Sequence, residues 1–172
     1  ADKAGAPPVS TEGSPVDALR GSLDAAGLRF AVIAARFNAD ITDALLRGAR
    51  EALAEHGVGE EHVHVVRVPG AWELPQTAAR AAATGRFDAI VTLGCVIRGE
   101  TPHFDYVCQE ASLGLGAVAR TAGIPVLFGV LTTDDHAQAA VRAGSGRDNK
   151  GYEAAMAALE LVGVLRALEP AG

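Results

Sequence analysis

Two spacings of apolar residues alternate along the chain. Four short stretches are apolar almost throughout or at every second position: "LRFAVIAA" (28–35), "HVHVVRV" (62–68), "FDAIVTLGCVI" (87–97) and "IPVLFGVLT" (124–132). Runs of this length that are apolar on both sides suit strands covered on both faces, as in a parallel sheet. In the second stretch Val63 and Val65 fall on one face, and His62, His64 and Val66 on the other.

Between these stretches the spacing changes to that of helices. Ile41, Ala44, Leu45, Gly48, Ala49, Ala52 and Leu53 recur at i, i+3, i+4 and i+7, which puts them on one helix face. Asn38 or Asp40 can cap that helix, and Gly57 suits its C′ stop. Residues 73–84 predict a short helix. Residues 102–121 predict a longer one with Thr101 at the N-cap and Pro102 at N1. A shorter helix is expected around 134–143, and a last one over 148–169, capped by Asp148 or Asn149. The order β-α-β-α-β-α-β-α-α predicts an α/β fold: a three-layer α/β/α sandwich around a four-stranded parallel sheet. "GLGAVA" (114–119) matches a loose dinucleotide-binding pattern, but it falls inside a predicted helix and not at a strand-to-helix turn, so the match fails its structural test.

Open sheets of this kind bind ligands outside the carboxyl ends of their strands. The segments at that rim are "RFNAD" (36–40), "PGAWELP" (69–75), "RGETPH" (98–103) and "TTDDH" (132–136). "RGETPH" combines a tight turn at Gly99 with the free N–H groups of a helix start, an arrangement suited to a phosphate. His103 lies in that first turn, near any bound anion, where an imidazole can serve as a base; alone, it reads more readily as a solvated turn residue. Phe37 offers a flat face to a heterocycle or, alternatively, a staple onto the next helix. Glu73 is either a ligand contact or a plain helix-start acid. The exposed backbone of Ala71 and Trp72 could bond a polar ring or polyol. Arg142 and Lys150 flank the glycine-rich "RAGSGRDNKG" and could reach a phosphate.

Composition narrows the function classes. The 172 residues suit one domain, 1–15 forming a flexible Ala/Gly/Pro/Ser arm and 16–172 a single α/β unit. The net charge of −6, with acids and bases mixed along the chain, argues against nucleic acid or an anionic membrane as partner. Cys95 and Cys108 form no metal-binding spacing, and no metal site is expected. No apolar run approaches the ~18 residues of a membrane span, and the opening stretch lacks the apolar core of a signal peptide. A cytoplasmic location is expected.

Taken together, "RFN…IT..LL.GA", "VPGAWELP", "LGCVIRGETPHFDYVC", "PVLFGVLTT" and "RAG….NKG" resemble the 6,7-dimethyl-8-ribityllumazine synthase family, from about residue 28 to 168. The resemblance implies a flavodoxin-like fold. It implies a transferase of riboflavin biosynthesis that joins 5-amino-6-(D-ribitylamino)uracil to 3,4-dihydroxy-2-butanone 4-phosphate without a cofactor. By the same resemblance His103 is the proton-transfer residue. Phe37, Ala71, Trp72, Glu73, Cys95, Val96 and Ile97 bind the pyrimidine and ribityl chain, with Phe128 reaching in from a neighbouring subunit. Glu100, Thr101 and Arg142 bind the phosphate, and Asn38 and Lys150 are further candidates. Family members often carry Ala or Gln where this chain has Glu100, so the carboxylate is expected to turn outward, leaving its N–H to bind. The resemblance also implies self-association into pentamers. The uninserted length of the loop at "SGRD" (145–148) favours a sixty-subunit shell, and a riboflavin synthase is a candidate partner. The alternatives are a flavodoxin-like module that holds a flavin or pyrimidine without turning it over, and a shell protein that has lost activity.

Overall fold

A computed structural model describes residues 18–170; the arm expected over 1–15 lies outside the described residues. Four parallel strands form one sheet in the order β2-β1-β3-β4. They are β1 (Phe30–Ala35), β2 (Val63–Val68), β3 (Ala89–Ile97) and β4 (Val126–Thr133), joined through α1 (Ala39–Glu55), α2 (Leu74–Ala83) and α3 (His103–Thr121) and followed by α4 (His136–Arg142) and α5 (Lys150–Leu168). Every expected strand and helix is present, with ends displaced by a few residues.

Alternate strand residues feed two cores. Phe30, Val32 and Ala34 of β1 and Val91, Leu93 and Cys95 of β3 pack under α1 and α5. Ala31, Ile33 and Ala35 of β1 and Ile90 of β3 pack under α2 and α3. This is why β1 and β3 read as unbroken apolar runs: both faces are covered. The predicted α1 stripe is the buried one, Ile41, Leu45, Gly48, Ala49, Ala52 and Leu53 among it. Each large side chain buried this way contributes roughly 1.5–3 kcal/mol. Within the sheet, the buried Thr92 hydroxyl donates to the Leu127 carbonyl at 2.6 Å, so its burial leaves no orphaned group. β2 lies at an edge, and Val65 is exposed there in spite of the alternation that predicts a buried face.

Two caps differ from expectation. Asn38 stands at the N-cap of α1 but in the left-handed conformation (φ 57°, ψ 53°), and its side chain caps nothing; its Nδ2 donates instead to the Cys95 carbonyl at 2.9 Å. Asp40 lies within the helix. At α3 the N-cap is Pro102, not Thr101, and there is no side-chain cap bond. A proline needs no N–H partner there, and the turn closes through the Asp105 N–H to the Pro102 carbonyl at 3.0 Å. The other ends match. Gly57 follows α1 in a Schellman arrangement, with Gly57 N–H bonded to Ala54 O and Val58 N–H to Leu53 O. Asn149 caps α5 through the Gly151 and Tyr152 N–H groups. "GLGAVA" is helical, and its Gly114 has a packing purpose: a Cβ there would stand 2.8 Å from Pro75 of α2, so only glycine lets the two helices approach.

Candidate active site

The strand order reverses between β1 and β3, where α1 leaves on one face of the sheet and α3 on the other. A cavity of about 530 Å³ opens at that point, at the carboxyl ends of the strands. Rim segments from three strands converge on it. Phe37 follows β1, Pro69 to Glu73 follow β2, and Cys95, Val96, Ile97, Gly99, Thr101 and His103 end β3 and begin α3. Phe104 and Val107 of α3 close the side; neither is among the expected site residues, although their place on the first turns of α3 follows from the helix period.

Phe37 is 71 % exposed, so it is not a staple on α1. Its backbone is tied to the neighbouring loop, with its N–H bonded to Pro69 O at 3.0 Å, which leaves the ring standing at the cavity mouth. Trp72, half exposed, lies across the same cavity. A short 3-10 turn, Ala71–Glu73, carries it; Ala71 is buried and anchors the turn. The Glu73 carboxylate accepts from the Gly70 N–H at 2.9 Å, so it serves its own helix start as well as lining the cavity.

At the end of β3 the Cys95 side chain points into the core under α1. Burial, reinforced by the Asp40 carboxylate nearby, pushes the thiol up to about 11. It is therefore no nucleophile, and its carbonyl is already engaged by Asn38. His103 is exposed at the first residue of α3. The Asp105 N–H is taken by the Pro102 carbonyl; the other N–H groups of this first turn have no intrahelical partners, and Thr101 and His103 at this positive dipole end line the cavity. Glu100 is exposed and does not line the cavity.

Arg98, which opens the rim segment "RGETPH" but is not among the expected site residues, braces the turn. Its guanidinium lies over the Phe104 ring at 4.3 Å, bonds Asp134 through Nε at 2.9 Å and reaches Asp105 at 3.5 Å. The bond to Asp134 is the main reason its charge is held more firmly than an ordinary arginine's. Asp134 is 36 residues away in sequence, and no local pattern connects the two.

Three expected site residues lie elsewhere. Phe128, Arg142 and Lys150 line a separate cleft of about 420 Å³ beside the edge strand β4 and α5. Glu153 shares that cleft and accepts from Lys150 Nζ at 2.8 and 2.7 Å; the i, i+3 spacing makes that pair readable once α5 is drawn. Arg142 Nη1 donates back to Gln138 O of its own helix at 2.9 Å. Phe128 is 47 % exposed, the third residue of β4. One chain thus carries two separate cavities, one with His103 and the helix start, the other with an aromatic ring and two cations. Among the described residues no three His, Cys, Asp or Glu side chains are grouped to hold a metal ion, and no helix is long and apolar enough to cross a membrane.

Comparison with known proteins adds to this geometry. The family model described as 6,7-dimethyl-8-ribityllumazine synthase matches residues 27–166. A protein of that name from Desulfatibacillum aliphaticivorans is 53 % identical over 144 residues, covering 84 % of this chain and 93 % of its own length. The residues lining both cavities lie within the matched region.

Proposed function

The chain belongs to the 6,7-dimethyl-8-ribityllumazine synthase family, and from that premise we propose how its residues divide the reaction. The activity is a transferase step of riboflavin biosynthesis, in which 5-amino-6-(D-ribitylamino)uracil condenses with 3,4-dihydroxy-2-butanone 4-phosphate. An amine attacks the ketone and one water leaves as the imine forms, phosphate is eliminated, and the second amine closes the ring on the remaining carbonyl with loss of a second water. The observation that carries the division of labour is the cavity at the β1/β3 reversal, where an aromatic plate and a helix start face one space.

Phe37 stacks on the pyrimidine, and the Ala71–Trp72–Glu73 turn holds the ring and ribityl chain. The backbone of Val96 and Ile97 bonds the ring edge. The Cys95 carbonyl, held by Asn38, sets the position of that strand end. The phosphate sits at the start of α3 against the N–H groups around Glu100 and Thr101, with the Glu100 side chain turned to solvent. His103 stands one turn away and moves protons as the carbinolamine loses water and the phosphate departs. Much of the rate comes from holding two reactants together.

Phe128, Arg142 and Lys150 complete the site from a second copy of the chain. What supports this is their grouping in one cleft apart from the His103 cavity, on the open edge of the sheet. Arg142 then supplies a bidentate fork to the phosphate, and Phe128 a second face to the pyrimidine. Copies arranged head to tail in this way close into rings, here pentamers, and the uninserted loop at 145–148 favours assembly of those rings into a sixty-subunit shell. The free thiols Cys95 and Cys108 suit a reducing compartment and support a cytoplasmic location. The test is direct: protein mixed with both substrates yields the fluorescent lumazine. A protein that binds the pyrimidine but forms no lumazine would be the binding module of the alternative reading.

A further inference from the structure

We propose that Asn149 is a positioning residue for the phosphate-binding arginine, acting through the carboxyl end of α4. The proposal rests on the reading of Arg142 as a phosphate ligand. α4 has only seven residues, too few to hold a helix in place unaided. Arg142 is its last residue, so the direction of the guanidinium depends on how that end is anchored.

The anchor is one buried amide. Asn149 is 3 % exposed. Its Nδ2 donates to the carbonyls of Ala143 (3.2 Å) and Gly144 (2.8 Å), the two residues directly after Arg142, and to Ala44 of α1 (3.1 Å). Its Oδ1 accepts from the Gly151 and Tyr152 N–H groups at 2.8 and 3.1 Å, capping α5. Three carbonyl oxygens on one side and two N–H groups on the other settle which end of the amide is which. One side chain therefore binds α1, the end of α4 and the start of α5 together. Lys150, the other cation of the cleft, is the next residue along the chain. The space for the amide is made by Gly48 of α1, where a Cβ would stand 2.3 Å from Asn149 Oδ1.

Helix capping alone does not require asparagine, since aspartate and serine also cap well. Only an amide both caps α5 and donates to the carbonyls behind Arg142. Asn149→Asp keeps the acceptor but turns a carboxylate oxygen towards three carbonyl oxygens. Asn149→Ser keeps a cap and cannot reach the carbonyls. Gly48→Ala leaves the amide intact and crowds it out of place.

The experiment measures KM for each substrate separately, kcat, and inhibition by inorganic phosphate, at a temperature well below every variant's unfolding midpoint. Arg142→Ala and Tyr152→Phe are run in parallel. Tyr152→Phe removes the 2.7 Å bond to Glu55, a tie between α1 and α5 that does not touch α4. Loss of Arg142 is expected to raise KM for the butanone phosphate by about tenfold or more, the usual weight of a charge-assisted bond. Asn149→Asp, Asn149→Ser and Gly48→Ala are expected to raise the same KM, by roughly three- to tenfold, and to weaken phosphate inhibition in step, because a displaced fork binds phosphate less well. KM for the aminouracil should stay within about twofold in all of them, and Tyr152→Phe should lower the unfolding midpoint while leaving both KM values unchanged. If the Asn149 and Gly48 variants lower the midpoint but leave KM for the butanone phosphate unchanged, or raise both KM values alike, the proposal is overturned. If Arg142→Ala itself leaves that KM unchanged, the reading of Arg142 fails first, and the proposal falls with it.

Discussion

At the scale of single residues, His103 and Glu100 illustrate what a side chain's surroundings add to its type. His103 is an exposed imidazole at a helix start, and its proposed role comes from the aromatic plate and strand end that share its cavity. Replacing it with alanine should lower kcat by about 10²–10⁴-fold and leave slow, measurable turnover, because positioning of the two substrates survives. Unchanged turnover would remove His103 from the reaction. Glu100 stands beside the phosphate turn with its side chain in solvent and away from the cavity lining. Glu100→Gln should therefore change KM for the butanone phosphate by less than about threefold, since solvent screens an outward charge. A larger fall in KM would mean that the carboxylate faces the phosphate. Phe37 could be read from sequence either as a staple or as an aromatic plate; its exposure rules out the staple.

At the scale of elements, the short helix α4 shows how a segment with little intrinsic stability is held. Its buried end is tied by Asn149. Its exposed end is tied by His136, whose Nε2 lies 2.6 Å from Asp40 Oδ2 at the start of α1. That bond is the main cause holding the Asp40 carboxyl below its ordinary value of 3.8. A depressed folded-state pKa means that the tie stabilises the fold above the unfolded value near pH 4 and loses its effect as pH falls through the lower one. Asp40→Asn should therefore be slightly less stable than the parent at neutral pH, and the difference should vanish in acid titrations followed by circular dichroism. The effect is small because both groups are exposed. A difference that persists unchanged well below pH 4 would show that the carboxylate charge is not what matters. The strands and helices themselves were legible, because apolar periodicity and turn residues act locally. Asn38 holds the expected N-cap position without a side-chain cap, and Thr101 is displaced from the N-cap by Pro102, because the competing partners, the Cys95 carbonyl and a proline needing no cap, emerge only from the folded chain.

At the scale of the whole molecule, the dominant feature is that the cavity with His103 and the cleft with Phe128, Arg142 and Lys150 are separate in one chain. If a second copy completes each site, His103→Ala and Arg142→Ala damage different chains' contributions to it. Co-expression of the two impaired variants should restore activity to about a quarter of the parent's, the share of interfaces that pair two intact halves at random. No recovery would mean that both residues serve one chain's site. Light scattering tests the assembly independently: a particle near five subunits would rule out the shell, and a monomer would rule out a shared site. The sequence by itself determined the element order, the parallel sheet, the stripes that form both cores and the rim segments that carry chemistry, because each is written in spacing over a few neighbouring residues. Only the tertiary structure decided which rim residues meet. It brought Phe37, Trp72 and His103 to one cavity, moved Phe128, Arg142 and Lys150 to another, and gave Asn149 partners on α1, on α5 and in the segment directly after α4. Those relations join positions tens of residues apart through the order and register of the strands, so no local pattern could contain them.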